Sequence, residues 1–497
     1  MKRSVELILV AMAVVLFCVA TSLWAQEALS GPPIKVSETA EPTPVHYPSA
    51  PGKLFIPASS LPQPTPAGHR FAAHTNVELL APAGLKPDSL PPFPGYGFET
   101  PASLACAYSL PSEVVPCNPN NNTLANPSGG SKTIAIVDAY DDPSAPGDLA
   151  WFSLQFGLPL SLTQFNVVLA NTANSSCSFA GVPIDATGGW EIEESLDIEW
   201  SHAMAPGATI DLVEACSDFD TDLQQAVMVA NNLVTCGVTG INPLTLALTY
   251  PYSCTPSAGE VSMSWGGGEG PDETGSTEPT PTSCLDPDDT CFTATNVVYF
   301  AAAGDSPGVI WPGTSPNVVS AGGLSNRRNP STFNLLLSPT YEAAWVDAGG
   351  GQSAYETIPD YQSAWTDVTN VCGTTYRCVP DVSFDADPNT GVYVYDTFPI
   401  DGFEYIEWIV IGGTSVSAPS LAGIINNAAG RTGGSFAASS NAELKKMYGN
   451  LANVTLDYDK AFSAVTYGYC GFYMGFGAGG YWNFCTGLGA VHTYTGK

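Results

Sequence analysis

Short apolar runs that alternate with helical patterns constrain the fold of this chain more than any other feature. Three runs have the length and the mostly apolar character of strands buried on both faces: Thr133–Val137, Val297–Ala303 and Ile406–Ile411. One stretch between them repeats large or apolar residues at near-helical spacing: Ile192, Leu196, Trp200 and Ala203. Strands and helices that alternate in this way predict an α/β fold with a central, mostly parallel sheet flanked by helices.

Cations are scarce in this chain. It has 47 Asp and Glu residues against 15 Lys and Arg, so its formal net charge is −32. This balance excludes nucleic-acid binding through a basic surface and docking on anionic lipid, because both need clustered cations. When every carboxyl is protonated, few cations are left to repel one another, which suits a protein that works in acid. An ordinary acidic secreted protein fits the same composition equally well.

The first 25 residues of the chain have the character of an export signal. Lys2 and Arg3 precede an apolar run, Leu7–Ala20, that is too short to span a bilayer and typical of a secretory signal peptide. We therefore predict a signal peptide over residues 1–25 and a secreted protein, extracellular or periplasmic. Residues 26–96 are rich in proline without a sustained pattern, so we expect an extended N-terminal segment there. Residues 97–497 hold the predicted α/β domain.

The cysteines also indicate export. Of the 13 in the chain, Cys18 lies in the predicted signal peptide, and the even remainder allows up to six disulfides. Local spacing suggests four of them: Cys106–Cys117, Cys284–Cys291, Cys372–Cys378 and Cys470–Cys485. Four further cysteines cannot be paired from the sequence: Cys177, Cys216, Cys236 and Cys254.

A glycine-rich turn presents the first candidate catalytic residue. Gly412 and Gly413 end an apolar run, and an apolar helical pattern begins directly after them, with Ser415 at its start. The exposed N–H groups and dipole of a helix N-terminus favour an anionic oxygen there, as a nucleophilic serine and its oxyanion require. On spacing alone, an ordinary capped helix after a strand is the commoner explanation.

A nucleophilic serine needs a base, and histidine is a poor candidate in this sequence. His202 alone lies within the periodic region, and no recognisable motif surrounds it. Glu193 and Asp197 lie four residues apart on a predicted helix, so their side chains share a face. They are either part of a solvated acidic face or two carboxyls that share a proton at mildly acidic pH and form an acid–base pair.

A further acid follows the apolar run Val297–Ala303. Asp305 lies at the carboxyl end of this predicted strand, the edge at which α/β sheets usually bind ligands. It either caps a loop or, when protonated, donates a hydrogen bond to an oxyanion.

In this order, the three elements resemble the sedolisin, or serine-carboxyl peptidase, family, in a kumamolisin-like form. The resemblance extends over about residues 97–489. Further segments are similar to landmarks of the family: Thr133–Tyr140, Ala203–Ala208, Ser262–Gly266, Ala303–Ser306 and Pro380–Pro388. Each motif alone is weak, but together and in sequence order they are specific.

The resemblance implies a subtilisin-like fold, stapled here by disulfides, and endopeptidase activity in acid. Ser415 would attack the scissile carbonyl, Glu193 would accept its proton, and Asp197 would orient Glu193. Protonated Asp305 would stabilise the oxyanion, and Asp138 would extend the hydrogen-bond chain from the base. Three residues would line the substrate cleft: Ser264, Trp265 and Gly266.

The sequence departs from the family at three places. The region between Trp265 and Val297 lacks the amphipathic helix expected there and has the composition of a loop. Relatives carry a folded propeptide, whereas only the proline-rich residues 26–96 precede the peptidase-like region here. The family's calcium site is expected to be lost, because Ala464 and Asn483 stand where carboxylate ligands are needed. We therefore expect no cofactor, with a Cys470–Cys485 disulfide as the staple in place of calcium.

The sequence thus predicts a secreted, acid-acting serine-carboxyl endopeptidase with a Ser–Glu–Asp triad. Its expected partners are protein or peptide substrates, with no nucleic acid and no membrane, and it is expected to be a monomer. Two alternatives stay open: an ordinary subtilisin, and a pseudopeptidase that binds peptides or a protein without cutting them. The absence of a histidine motif in the sequence argues against an ordinary subtilisin. A complete catalytic set argues against a pseudopeptidase: Glu193, Asp197, Asp305 and Ser415.

Overall fold

A computed structural model describes most of the chain from Gly52 onward. The described residues are 52–65, 69–82, 89–110, 117–161, 163–172, 175–177, 181–236, 240–241, 248–249, 257–270, 290–336, 341–403, 407–471 and 480–497. They fall within one compact unit, Tyr47–Lys497. The expected signal peptide lies outside the described residues, as does Cys284.

In the described part of the chain, the helices in order are α1 (Pro101–Ala107), α2 (Ala145–Phe156), α3 (Glu191–Met204), α4 (Asp220–Cys236), α5 (Asp360–Ser363), α6 (Thr366–Cys372), α7 (Thr414–Gly430), α8 (Ser440–Gly449) and α9 (Asp459–Ala461). The strands are β1 (Gly52–Phe55), β2 (His74–Thr75), β3 (Glu78–Pro82), β4 (Thr133–Ala139), β5 (Phe165–Leu169), β6 (Thr209–Ala215), β7 (Gly240–Ile241), β8 (Leu248–Thr249), β9 (Gly259–Met263), β10 (Trp265–Gly266), β11 (Val297–Ala302), β12 (Val319–Asn326), β13 (Glu342–Ala344), β14 (Gly351–Thr357), β15 (Tyr376–Val379), β16 (Val382–Asp385), β17 (Val392–Tyr395), β18 (Trp408–Gly412), β19 (Phe462–Ser463) and β20 (Ala490–Val491).

The main sheet confirms the predicted fold class. Its order is β19-β20-β16-β12-β11-β9-β4-β6-β5, and every pairing from β20 to β5 is parallel. The predicted strands at Thr133–Val137 and Val297–Ala303 are β4 and β11, which both pair with β9. Their side chains are buried almost throughout, as expected for strands covered on both faces.

The third apolar run takes a different place from its two counterparts. It forms β18, which lies in a separate antiparallel sheet of order β1-β3-β18-β17. Strand β18 pairs antiparallel with both β17 and β3. The strand that leads to Ser415 is therefore supported by neighbours outside the main sheet.

Two buried helices, α3 and α7, pack against each other beside the main sheet. A Cβ added to Gly423 of α7 would come within 2.7 Å of the Met204 Cβ and 2.8 Å of the Ser201 carbonyl oxygen, so the helices approach closely here. Every residue of α3 is buried, polar ones included. The acidic residues of α3 therefore do not form a solvated face, which was the ordinary alternative for Glu193 and Asp197.

Disulfides stabilise the loops around this core. The predicted bonds Cys106–Cys117, Cys372–Cys378 and Cys470–Cys485 are confirmed, and Cys177 pairs with Cys216, which the sequence left open. Among the described residues, no helix has the length and hydropathy needed to cross a membrane.

Part of the proline-rich segment is built into the fold. Strand β2 pairs antiparallel with β10, and β3 pairs antiparallel with β18. Val77, Leu79 and Leu80 are buried in the hydrophobic core. Residues 71–82, which we call the cleft segment, are therefore ordered strands that run past the N-terminus of α7.

Candidate active site

Ser415 lies at a tight strand-to-helix turn. Strand β18 ends at Gly412, Gly413 adopts φ +113°, and α7 begins at Thr414, so Ser415 is the second residue of the helix. Only glycine fits at position 413, because a Cβ there would clash with the Asn76 carbonyl oxygen and come within 2.6 Å of Asp305 Oδ2. Gly413 thus leaves room for the Asn76 carbonyl group close to Ser415.

Pro419 explains part of the local hydrogen bonding. Proline has no N–H, so the Ser415 carbonyl loses the helical partner that residue 419 would otherwise provide. Ser264 Oγ lies 3.4 Å from that carbonyl oxygen. The same Ser264 hydroxyl is within hydrogen-bonding distance of both Asp197 oxygens, at 2.9 and 2.7 Å. The proline thereby helps to link α7, the residue after β9, and the carboxyl on α3.

Three buried carboxyls form a cluster, and the predicted base is one of them. Glu193 and Asp197 share a face of α3, and Asp138 lies near the carboxyl end of β4. Burial, reinforced by the Asp138 carboxylate, raises the pKa of Glu193 well above its ordinary value, while the Ser415 hydroxyl acts in the opposite direction. Burial raises the pKa of Asp138 to about 8. Such a cluster without a nearby cation holds shared protons at mildly acidic pH.

The Ser415 hydroxyl lies close to the Glu193 carboxyl and partly offsets the rise in the pKa of that carboxyl. The Ser415 Oγ donates its hydrogen bond to the Ser264 carbonyl oxygen at 3.0 Å. Catalytic hydrogen bonds often tighten only when substrate binds, so this arrangement is compatible with Glu193 as a base. Asp197, by contrast, is held in place by Ser264.

The Asp305 carboxyl has one oxygen that accepts hydrogen bonds and a second oxygen that can carry a proton. Its Oδ1 accepts hydrogen bonds from the Thr414 N–H and the Thr414 hydroxyl, both at 2.7 Å. Its Oδ2 is buried, has no hydrogen-bond partner among the described residues, and faces the space in front of Gly413. Burial, with the Glu78 carboxylate, raises the pKa of Asp305 well above its ordinary value. A protonated Oδ2 can therefore donate to an oxyanion.

The histidine that a subtilisin mechanism needs is absent from this arrangement of described residues. His202 is nine residues after Glu193, so it lies about 180° around α3 from the base position. Its ring nitrogens have no partners there, and burial lowers its pKa to about 4. The described hydrogen bonds join no histidine to Ser415.

The predicted cleft residues contribute mainly through their backbone. Trp265 is fully buried, and its indole N–H donates to the Val137 carbonyl oxygen at 2.7 Å. The backbones of Trp265 and Gly266 pair with Thr75 and His74. Sequence motifs missed Asn76, whose side-chain N–H₂ donates to the Ser264 carbonyl oxygen at 2.9 Å. Nothing in its proline-rich surroundings marks it as a site residue.

The region of the family's calcium site does not offer cation ligands in its described part. Asn483 Oδ1 accepts from the Cys485 and Thr486 N–H groups at 2.9 and 3.0 Å, so it satisfies backbone donors. Across the described residues, no group of three or more His, Cys, Asp or Glu side chains could hold a metal ion. These residues do not fit a hard dication that needs several oxygen ligands.

Comparison with known proteins places this geometry in a wider class. No family model matches the sequence. A structure of Pseudomonas sedolisin, a serine-carboxyl proteinase complexed with two molecules of pseudo-iodotyrostatin, superposes with a TM-score of 0.53 at 20 % identity, covering 79 % of this chain and 95 % of that chain. The match to a structure of sphericase covers 80 % of this chain and 99 % of that chain, with a TM-score of 0.42 and 16 % identity. At 20 % identity, the match to the Pseudomonas sedolisin structure shows that the two chains share a fold.

One curated protein is similar to part of this sequence. Sedolisin of Pseudomonas sp. (strain 101) is 34 % identical over 129 residues, which cover 24 % of this chain and 19 % of that protein. The aligned stretch therefore spans about a fifth of the curated relative. The chain is thus similar to sedolisin in part of its sequence and in its fold, in agreement with the resemblance that the motifs indicated.

Proposed function

We propose that this chain is a secreted serine-carboxyl endopeptidase that hydrolyses protein or peptide substrates in acid. The observation that carries the proposal is the shared pocket of Ser415 and a cluster of buried carboxyls, with an unpartnered Asp305 oxygen beside them. The sedolisin relatives support a serine peptidase. The described disulfides support export to an oxidising compartment.

In the proposed mechanism, Ser415 Oγ attacks the scissile carbonyl carbon while Glu193 accepts the hydroxyl proton. Asp197 positions Glu193 from the next turn of α3, and Asp138 keeps a proton within the cluster. Glu193 then gives the proton to the leaving amine, and water hydrolyses the acyl-enzyme by the reverse sequence. The Ser415 N–H and protonated Asp305 Oδ2 stabilise the oxyanion in both steps.

The pH range follows from these opposing requirements. Glu193 has to be ionised to accept a proton, whereas Asp305 has to be protonated to donate one. Raised pKa values for both carboxyls move this overlap upward from the ordinary carboxyl range, but rising pH finally removes the Asp305 proton. Activity is therefore expected to rise as Glu193 loses its proton and to decline as Asp305 loses its own.

Proteolysis of a denatured protein between about pH 3 and pH 7 tests the proposal. Chain that has been incubated in acid should cleave the substrate, with the highest rate below neutral pH, and His202→Ala should remain active because His202 faces away from Ser415. The closed cleft, in which Ser415 is buried, favours one alternative: a pseudopeptidase. Folded protein that cleaves nothing at any pH would contradict the peptidase proposal and favour that alternative.

We further propose that the Cys470–Cys485 disulfide, and not calcium, stabilises the C-terminal region. The bond closes a loop of sequence separation 15, for which chain entropy gives about 3 kcal/mol. Replacing both cysteines by alanine should lower the free energy of unfolding by about that amount, measured by urea denaturation, whereas a calcium chelator should leave it unchanged. The Cys372–Cys378 pair, with separation 6, is a control with an expected loss of about 2 kcal/mol. Stoichiometric calcium in the purified protein would contradict the proposal.

A further inference from the structure

Asp305 lies on a loop whose position decides whether its carboxyl reaches an oxyanion. Residues 304–308, which we call the acid loop, follow β11 and carry this carboxyl. Thr414 holds one carboxyl oxygen from α7, and the other has to be placed within about 0.5 Å to donate to the reacting oxygen. The other contacts of the acid loop are therefore part of how the site is held together.

A second loop holds the acid loop at both of its ends. Residues 345–350, which we call the support loop, supply two backbone donors. The Gly349 N–H donates to the Gly304 carbonyl oxygen, and the Gly350 N–H donates to the Gly308 carbonyl oxygen, both at 2.7 Å. These two bonds lie on either side of the acid in the chain, so its position depends on where the support loop lies.

The support loop is held in turn by residues beside the Cys470–Cys485 disulfide. Directly after the first cysteine, the Gly471 N–H donates to the Val346 carbonyl oxygen at 2.9 Å. An added Cβ on Gly471 would come within 3.0 Å of the Pro307 Cβ, so this residue also packs against the acid loop. The chain at the first cysteine therefore contacts both loops.

The chain at the second cysteine contacts the support loop as well. The Phe484 carbonyl oxygen lies so close to Gly350 that an added Cβ on the glycine would clash with it. Both cysteines lie in a small buried cluster with Trp345 and Ala348 of the support loop. The disulfide thus joins the two chain segments between which the support loop is held.

We propose that the Cys470–Cys485 disulfide positions Asp305 for oxyanion stabilisation by fixing the support loop against the acid loop. The bond acts through these two loops and not on the reacting atoms, so it is a positioning element. The inference rests on the proposed peptidase function. It adds to that function a role for the disulfide that is distinct from its contribution to stability.

The charges around Asp305 give this role a measurable signature. Three other carboxyls are close enough to interact with its charge: Glu78 of β3, Glu193 of α3 and Asp347 of the support loop. Burial is the main cause of the raised pKa of Asp305, and the Glu78 and Asp347 charges act in the same direction, whereas hydrogen bonds from Thr414 oppose them. A displaced support loop exposes Asp305 and removes Asp347, and both changes lower the pKa of Asp305.

Replacement of Cys470 and Cys485 together by alanine tests the proposal. The kcat for an internally quenched peptide should fall about 10- to 100-fold with little change in KM, because the displaced donor acts in the transition state. The decline of kcat at high pH should move to lower pH, because a less buried Asp305 loses its proton earlier. Urea unfolding identifies conditions in which the variant is folded, and the rates are measured there.

The Cys106–Cys117 disulfide provides the matched control. It closes a loop of sequence separation 11, close to the 15 of Cys470–Cys485, but it is attached to α1. Replacing both of its cysteines by alanine should lower the urea midpoint of unfolding. The kcat and the pH profile of the folded control should stay those of the parent.

A single substitution decides the question if the double variant does not fold. Gly471→Ala keeps the disulfide but places a methyl group against Pro307 of the acid loop. Gly433→Ala is its control, since both glycines have positive φ, +67° and +87°, while a Cβ on Gly433 would meet no atom within 4 Å. Gly471→Ala should lower kcat and shift the pH profile, whereas Gly433→Ala should change neither.

Amide hydrogen exchange supplies a measurement that does not need activity. The Gly349 and Gly350 N–H groups should exchange about tenfold or more faster in the folded variant without Cys470–Cys485 than in the parent, because local opening becomes easier. Removal of Cys106–Cys117 should leave these two rates unchanged. Unchanged exchange in both variants would overturn the proposed attachment of the loops.

The outcomes also separate this proposal from the peptidase function. A folded variant that lacks Cys470–Cys485 and keeps the kcat and pH profile of the parent would overturn the positioning role and leave the peptidase function standing. Equal losses of kcat in both disulfide variants, with an unchanged pH profile, would show an effect on stability alone and would also overturn it. A folded parent chain that cleaves nothing at any pH would overturn the peptidase function and the catalytic role of the disulfide together.

Discussion

Replacement of Ser415 by alanine or of Glu193 by glutamine is expected to lower kcat/KM by about 10⁴-fold or more, the usual effect of removing a nucleophile or its base. Ser415 lies at the helix N-terminus, and the Ser415 and Glu193 side chains are both fully buried. Asp197→Asn should also cause a large loss, because Ser264 fixes Asp197 beside the base. The measurement is the turnover of a short fluorogenic peptide in acid.

Glu199→Gln is the matched control for these variants. Glu199 is equally buried on α3, but its Oε2 accepts from the Tyr395 N–H at 3.1 Å, a bond that glutamine can retain. The activity of Glu199→Gln on the same peptide should therefore remain close to that of the parent. Full activity of Glu193→Gln, together with inactivation by His202→Ala, would contradict the carboxyl mechanism.

Asp305→Asn should change the shape of the pH profile. An asparagine amide donates a hydrogen bond without titrating, so the decline in kcat/KM that follows ionisation of Asp305 should move to higher pH or disappear. Loss of activity at every pH, with the profile unchanged in position, would instead indicate that Asp305 is only structural.

The second large effect concerns stability: the free energy of unfolding is expected to fall as pH rises from about 4 to 8. Burial raises the pKa of Asp138 to about 8, of Glu191 to about 9 and of Glu342 to about 8. In the unfolded chain these groups ionise near their ordinary values of about 4. Between the two values, the folded chain keeps protons that the unfolded chain has lost.

The sign of the effect follows from proton linkage. Stability rises with pH only where the unfolded state binds more protons, and here it binds fewer. While one such carboxyl keeps its proton only in the folded chain, it lowers the free energy of unfolding by at most about 1.4 kcal/mol per pH unit. The benefit is complete below about pH 4 and disappears as pH rises through the folded pKa values.

Urea unfolding of the Ser415→Ala chain, which should not digest itself, measures this dependence. Glu342→Gln should reduce the loss by about 1.4 kcal/mol per pH unit, because one titrating group outside the active site is removed. Asp401→Asn, at an exposed carboxyl, is the control and should leave the slope unchanged. A free energy of unfolding that increases from pH 4 to 8 would contradict the prediction.

The sequence predicted the features that depend on local pattern. Strands β4 and β11 and helix α3 follow from apolar periodicity, and three disulfides follow from short spacing. The turn at Gly413 could be located because a glycine pair before an apolar helix is a local signal. The carboxyl roles came from the family resemblance, and they stay predictions until variants are measured.

The features that the sequence could not predict depend on contacts between distant segments. Asn76 reaches Ser415 across 339 positions, and no periodicity or motif in a proline-rich stretch indicates such a partner. The place of β18 in an antiparallel sheet depends on β3 in the same way. Burial of every acidic residue on α3 likewise depends on α7, which packs against this helix.

The pairing of β3 with β18 has a practical consequence for the recombinant protein. A chain begun at Gly97, the boundary suggested by the sequence, would lack β1 and β3, and β18 would become an open edge next to the nucleophile. Unpaired edges of this kind promote aggregation. A chain begun at Val77 would retain β3, so the region that closes the cleft is also a foundation of the active site.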